Sequence, residues 1–349
     1  MYHFDIDTYH EFIYSWYSEY GRQNLPWQIK RKDNTINPYH VWISEIMLQQ
    51  TQVSTVISYF LKFIEQYPDI QTLAQADQDD VMSLWAGLGY YARARNLHKS
   101  AKIMESQFYS IFPDNYNDIV SLPGIGRSTA SAILSIAFGK RYAILDGNVK
   151  RVLSRLFHID EYIDIPMVEK KLWVIAQHLM PNVNTQIYTQ SMMDIGATIC
   201  KRKNPKCVIC PLKEFCKAFL LCGTNIDFPK KKPKKKKDIR AKVFYIYQNQ
   251  HDDIYLIKQP NVGIWGGLYS LPDYLDSELS NAGVGYVFLE GQKHTFTHFH
   301  LKFDVIIYKG VTNNLTLDPN GFWFAKSMLE NLAIPSPIRH VLEKYYEDR

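Results

Sequence analysis

The sequence predicts two domains, an all-α region followed by a small α+β unit, and three observations carry that reading. From about Asp7 to Phe219 apolar residues recur at three- and four-residue spacing, as in Val41, Trp42, Met47 and Leu48 and again in Val168, Leu172, Ile175 and Leu179. That is the period of helices burying one face. At 230–237 the run KKKPKKKK crowds like charges around a proline that forbids helix, which predicts an extended, solvated linker. Beyond it the texture becomes short alternating or β-branched runs, at 242–247, 254–257 and 301–308, closed by a helical pattern over 338–346. The boundaries that follow are 1–226 for the α region, 227–240 for the lysine-rich linker and 241–349 for the second domain. The same lysine run also suits a nuclear address or a DNA-contacting arm.

Composition bounds the function only loosely. With 349 residues, 46% of them hydrophobic, the chain is long enough for two cores, and its net charge of +5 suits a polyanionic partner or a small anionic substrate equally. No run approaches the ~20 apolar residues of a membrane span. The N-terminal stretch carries Asp5, Asp7 and Glu11 and resembles neither a secretory signal nor a transit peptide, so a soluble, cytoplasmic protein is expected.

In chain order, the first chemical candidate is Glu45 in WISEIMLQQTQ. Helical spacing puts Glu45, Gln49 and Gln52 on one polar face, which is either a solvent face or a surface of donors and acceptors suited to base edges. Next, GLGYYARARN interleaves Tyr90 and Tyr91 with Arg93 and Arg95 after a glycine turn. Aromatic wedges among phosphate-pairing charges suit an opened duplex, and the alternative is a contact between helices.

The stretch LPGIGRSTASAIL then sets Gly124 and Gly126 ahead of a small-residue helix start with Ser128 and Thr129. Lying between two helical patterns, it predicts a helix-hairpin-helix over about 116–136, whose outward amides and helix dipole favour a phosphate. Twenty residues beyond Gly126 comes Asp146, in ILDGNVKRVL. Read alone, Asp146 or Asn148 caps a helix. Beside a hairpin that holds phosphate, Asp146 instead becomes a carboxylate placed to stabilise a sugar cation, with Glu45 as the acid for a departing base.

All five cysteines fall between Cys200 and Cys222, too local for a disulfide framework. Cys200, Cys207, Cys210 and Cys216 close one four-sulfur cage, and both zinc and a [4Fe-4S] cluster accept it, with spacing alone favouring zinc. Lys201, Arg202, Lys203 and Lys206 ride on that loop as a basic projection. In the second domain, HTFTHFH puts His294, Phe296, His298 and His300 on one face if extended, as a contact loop or, less simply, a metal site.

Together these motifs closely resemble the MutY family of adenine DNA glycosylases, within the endonuclease III-like helix-hairpin-helix superfamily. The hairpin and cysteine motifs are shared across the superfamily, while SE-x-MLQQT, GLGYY-x-RARN and the second domain with its FTH loop point to MutY. The resemblance implies a glycosylase core with a [4Fe-4S] cluster on Cys200, Cys207, Cys210 and Cys216, then a Nudix-like recognition domain. It implies double-stranded DNA as partner, adenine opposite 8-oxoguanine or guanine as substrate, action as a monomer, and hand-over to downstream repair proteins in a bacterial, nucleoid-associated setting.

Carried over, Glu45 is the acid and Asp146 the cation-stabilising carboxylate, with Asn148 supporting them and Trp27 lining the adenine pocket. Gln50, Thr51, Leu88, Tyr90, Thr297 and His298 match positions that recognise or wedge beside the oxidised guanine. No glutamate-rich Nudix helix (RE-x2-EE) occurs in 240–349, so nucleotide hydrolysis is not expected. Strand-cleaving relatives carry at position 128 a lysine that forms a Schiff base; Ser128 here predicts base removal without strand cleavage. One stretch departs from the pattern, Lys30 to Asn37, which is longer than the resemblance leads one to expect.

Overall fold

The computed structural model describes residues 5–224, 229–230, 232, 236–275, 285–311 and 318–348. The helices are α1 (Ile6–Tyr20), α2 (Pro38–Leu48), α3 (Val53–Gln66), α4 (Ile70–Gln75), α5 (Gln78–Leu84), α6 (Ala92–Phe108), α7 (Tyr116–Ser121), α8 (Arg127–Phe138), α9 (Gly147–Leu156), α10 (Pro166–Leu179), α11 (Thr185–Asp194) and α12 (Lys217–Cys222). Strands β1 (Asp238–Asn249), β2 (Ile254–Lys258), β3 (Tyr269–Ser270), β4 (Tyr286–Thr295), β5 (Phe299–Val311) and β6 (Gly321–Phe324) precede α13 (Lys326–Leu329) and α14 (Ser336–Glu347). The contacts divide the chain into two compact units, 1–74 with 99–233 and 75–98 with 234–349.

The helical unit is built from local start and stop signals. Asn37 accepts the amide of Tyr39 at 3.1 Å and Pro38 pre-sets the first turn of α2; Asn115 caps α7; Gly139, at φ 64°, ends α8. The expected helix-hairpin-helix is α7 and α8. Helix α8 is buried from Ala130 to Ile136, and its small residues let neighbours come close. Ser135, otherwise a lone buried hydroxyl, reaches Thr189 Oγ1 at 2.6 Å and donates to the Thr185 carbonyl at 3.0 Å. Trp42, Ile43 and Met47 of α2 are fully buried, each contributing roughly 1.5–3 kcal/mol of apolar burial that fixes the helix carrying Glu45.

In the second unit the sheet order is β3-β2-β1-β5-β4, with β6 also on β2. Strand β5 runs parallel to β1 and antiparallel to β4. Phe299, Leu301, Phe303, Val305 and Ile307 alternate inward along β5 and meet Ile338, Val341, Leu342 and Tyr345 of α14. The segment 75–98 joins this unit: Lys258 Nζ lies 2.6 Å from Asp79 Oδ2, Ser83 donates to the Asn331 carbonyl at 2.5 Å, and Arg95 to that of Gly266. Helical periodicity reveals a buried face but not which core receives it.

The run His294 to His300 does not continue as one strand. Phe296 N–H donates to the Phe299 carbonyl at 2.9 Å, closing a two-residue turn at Thr297 and His298 between β4 and β5. His294 therefore pairs with Leu301, and Thr295 with His300, rather than four residues sharing a face. Much of the predicted linker, residues 227–228, 231 and 233–235, lies outside the described residues, and β1 begins at Asp238.

Candidate functional site

The site starts from the join between α8 and α9. Ala143, Ile144 and Leu145 form a buried extended segment, and the Leu145 amide donates to Ser128 Oγ at 3.0 Å. Asp146 follows as the N-cap of α9, its Oδ1 accepting Val149 N–H at 2.8 Å. The cap reading of Asp146 holds, and it leaves the second oxygen uncommitted to the cap. Loss of water raises this carboxyl above the usual range, opposed by the Val149 and Asn148 amides and by the charge of Arg151.

Glu45 is half-buried on α2, and loss of water pushes it up to about 8, with the Asp146 charge adding to the rise. Two carboxyls thus share one electrostatic environment. Loss of water raises both; at Asp146 amide donors and Arg151 work against that rise, whereas at Glu45 the like charge of Asp146 adds to it and holds the proton there.

Asn148 is positioned by Arg151, whose Nη2 donates to Asn148 Oδ1 at 2.9 Å and to the Gly196 carbonyl at 2.6 Å, while Nε donates to the Cys200 carbonyl at 2.7 Å. Residues Ile195–Ile199 form a π-helical turn, and a Cβ on Gly196 would stand 2.6 Å from the Asn148 Cβ. The glycine permits that approach. Neither Arg151 nor Gly196 was singled out by motif; the signal for the arginine was its spacing from Arg155 on one face of α9.

The remaining expected residues divide between the two units. Trp27 sits in a 3-10 turn, Pro26–Gln28, 4% exposed and edge-on to Phe60 at 5.3 Å between centroids. Gln50, just past α2, is exposed with φ 61°, and Thr51 N–H donates to the Leu48 carbonyl. Gly124 adopts φ 81° and needs to be glycine; Gly126 does not, and a Cβ there would meet nothing within 4 Å. In the second unit Leu88 is buried, Tyr90 is 48% exposed with φ 51°, and Thr297 and His298 are exposed at the turn. A left-handed backbone at Gln50 and Tyr90 costs these residues about 1 kcal/mol or more, a strain that gathers at functional positions.

Arg93 corrects the sequence reading. The Arg93 guanidinium is buried, donates to the carbonyls of Leu88 at 3.1 Å and Gly89 at 2.9 Å, and lies 5.6 Å from the Tyr90 ring. It shapes the turn that presents Tyr90 rather than meeting phosphate, while half-buried Arg95 donates one nitrogen, Nη1, to the Gly266 carbonyl.

Cys200, Cys207, Cys210 and Cys216 line one cavity with Arg155, Ile199, Pro205, Lys213 and Phe219. Burial pushes the thiols of Cys210 and Cys216 up to about 12 and about 11, so thiolates are stable here only against a compensating positive centre. Arg155, 2% exposed, supplies one donor: Nη1 stands 3.3 Å from Cys200 Sγ and donates to the Lys201 carbonyl at 2.7 Å. Four sulfurs around one cavity with a buried cation fit a cluster.

Comparison with known proteins bears on each part. Residues 43–178 match the HhH-GPD superfamily of base excision DNA repair proteins, 200–216 the iron-sulfur binding domain of endonuclease III, and 242–344 the NUDIX domain. The chain is 40% identical over 350 residues to an adenine DNA glycosylase of Buchnera aphidicola subsp. Baizongia pistaciae, covering 97% of this chain and 96% of that protein. It is 29% identical over 407 residues to the adenine DNA glycosylase of Homo sapiens, covering 98% and 74% respectively. A solved thermostable thymine-DNA glycosylase superposes with TM-score 0.56 at 27% identity, over 62% of this chain and 97% of that one. The cofactor of the cysteine loop is a [4Fe-4S] cluster, and the zinc preference drawn from spacing is overturned.

Proposed function

This chain belongs to the adenine DNA glycosylase family, a group of N-glycosidic hydrolases of base excision repair, and we propose that it removes adenine mispaired with 8-oxoguanine or guanine without cutting the strand. The observation that carries the reading is the pair Glu45 and Asp146, one carboxyl pushed up to about 8 and the other capped and facing it electrostatically. Glu45 then holds a proton at neutral pH and delivers it to the extruded adenine. Asp146, ionised, stabilises the oxocarbenium-like sugar or bonds to it transiently. Asn148, oriented by Arg151, supports the same pocket, and Trp27 lines it.

Ser128 supports a monofunctional enzyme, because a hydroxyl engaged by the Leu145 amide offers no amine for a Schiff base. Gly124 and Gly126 hold the backbone phosphate at the hairpin. Gln50, Thr51, Leu88, Tyr90, Thr297 and His298 read the base opposite the adenine. Cys200, Cys207, Cys210 and Cys216 would hold the cluster, which when bound fixes the basic loop of Lys201, Arg202 and Lys203 against phosphates. We read the protein as a cytoplasmic monomer acting on nucleoid DNA; among the described residues no helix is long and apolar enough to cross a membrane.

The test is a duplex carrying one adenine opposite 8-oxoguanine. Free adenine is expected with the strand intact until it is heated in alkali, and Glu45→Gln and Asp146→Asn should each abolish release. Release only from a thymine-glycol duplex, or full activity in Asp146→Asn, would sink the reading.

A further inference from the structure

The stretch between Trp27 and α2 that departs from the expected pattern is a built hairpin. Lys30 and Ile36 form an antiparallel bridge, Arg31 N–H donates to the Thr35 carbonyl at 2.7 Å, and Asn34 N–H donates to that of Arg31 at 3.0 Å. Asn34, at φ 65°, turns the tip, and Ile36, 4% exposed, anchors the returning arm in the helical core. Asp33 accepts Thr35 N–H at 3.0 Å and Thr35 Oγ1–H at 2.6 Å, which closes the turn from within. What the hairpin then presents is Lys30, Arg31 and Lys32, all exposed and opposed by this single carboxylate.

Three adjacent exposed cations held on a hydrogen-bonded turn make a fixed positive patch of the kind that meets a polyanion. Among the described residues none of the three takes part in an ion pair. The chain also fixes where they lie: one arm leaves the Trp27 turn and the other enters α2, which carries Glu45. Burial favours the neutral form of His40 on α2, and the field of Arg31 adds to it, so the charge reaches the helix that carries Glu45.

We propose that Lys30, Arg31 and Lys32 are a phosphate clamp that grips the DNA backbone within a few nucleotides of the extruded adenine. The clamp rests on the reading of Trp27 and Glu45 as the adenine site. Its contribution is electrostatic and blind to sequence. It serves to hold the strand while the base leaves the stack, an event that costs a few kcal/mol of stacking.

The test combines Lys30→Ala, Arg31→Ala and Lys32→Ala in the full chain, bearing its cluster, and measures duplex binding across a salt series. The probe carries 2′-fluoro-2′-deoxyadenosine opposite 8-oxoguanine, which resists excision because the fluorine disfavours the sugar cation. At low salt the triple variant should bind about tenfold more weakly, and its log–log salt slope should be shallower by about 1 to 2, at ~0.9 per phosphate contact. A fully paired duplex should lose as much. Replacing the phosphates flanking the adenine by neutral methylphosphonates should weaken the parent more than the triple variant, which keeps only the grip of the hairpin amides.

An unchanged salt slope, a loss confined to the mispaired duplex, or equal sensitivity of both proteins to the methylphosphonates would overturn the clamp. Circular dichroism melting checks that the exposed substitutions leave the fold intact; Gln at all three positions provides a second set that removes the charge but keeps a polar side chain. If the slope falls as expected while Asp146→Asn still releases adenine, the catalytic assignment fails and the clamp stands.

Discussion

Ser128 and Leu145 are joined by a hydrogen bond of 3.0 Å, from the Leu145 amide to the Ser128 hydroxyl, so the first turn of the hairpin helix holds the residue preceding Asp146. Leu145 is 3% exposed and its amide has no water to turn to. Ser128→Ala should therefore destabilise the protein by about 1–3 kcal/mol, the cost of an orphaned buried donor. Denaturant unfolding measures it, and adenine release should slow as Asp146 loses its brace. A stability change below the error of the unfolding curve would show that the bond does not hold the segment.

Glu45 sets a pH dependence. Because it must be protonated to act as the acid, adenine release should fall as pH rises through about 8, and that limb should vanish in Glu45→Gln together with the activity. Stability follows the same group. A carboxyl whose native pKa is raised binds its proton more tightly folded than unfolded, so stability falls between the ordinary glutamate range and about 8, then levels. Glu45→Gln should accordingly stabilise the fold at pH 7.5 by on the order of 2 kcal/mol, allowing for the screening of its open face.

Gly147 separates stability from activity. Its φ is not in the left-handed region, and a Cβ there would meet nothing within 4 Å, so the fold has no need of a glycine directly after Asp146. Gly147→Ala should raise stability by about 0.5–1 kcal/mol through the restricted unfolded chain and better helix propensity. If the sugar-phosphate backbone comes close to Asp146, the same change should raise KM or lower kcat several-fold. A melting temperature and a single-turnover rate on one preparation decide it.

Arg155 ties the cluster loop to α9. Besides its approach to Cys200 Sγ and its bond to Lys201, Nη2 donates to the Arg202 carbonyl at 3.2 Å. Arg155→Met should cost about 3 kcal/mol and lower the iron bound per chain, because two carbonyls lose a donor and the thiolates lose a buried cation. Arg155→Lys should recover little, lacking the fork that serves three acceptors. Iron content and visible absorbance after purification are the measurements.

Much of this was legible in the residues. The Pro-Gly turn at 123–124 between two helical periods located the hairpin formed by α7 and α8, and alternation along 301–308 located β5. Asp146 was readable as a cap and as a carboxylate beside a phosphate grip, and it is a cap whose second oxygen stays outside the capping bond. Arg93 was misread because a charged side chain declares its chemistry in sequence but not its direction. Carbonyls of the glycine loop, Leu88 and Gly89, claimed its guanidinium. His294 to His300 was misread because a two-residue turn leaves no proline or glycine to mark it.

The sequence by itself determined the helical and strand segments, the hairpin, the four-cysteine loop and the absence of a lysine at position 128. These are encoded in periods, turn residues and side-chain types that act over a few positions. Only the tertiary structure decided that Glu45, 101 residues before Asp146, shares its field, that Arg151 spans Asn148 and Cys200, and that 75–98 packs with the sheet. Those relations depend on which buried faces meet, and a hydrophobic period specifies a face without naming its partner.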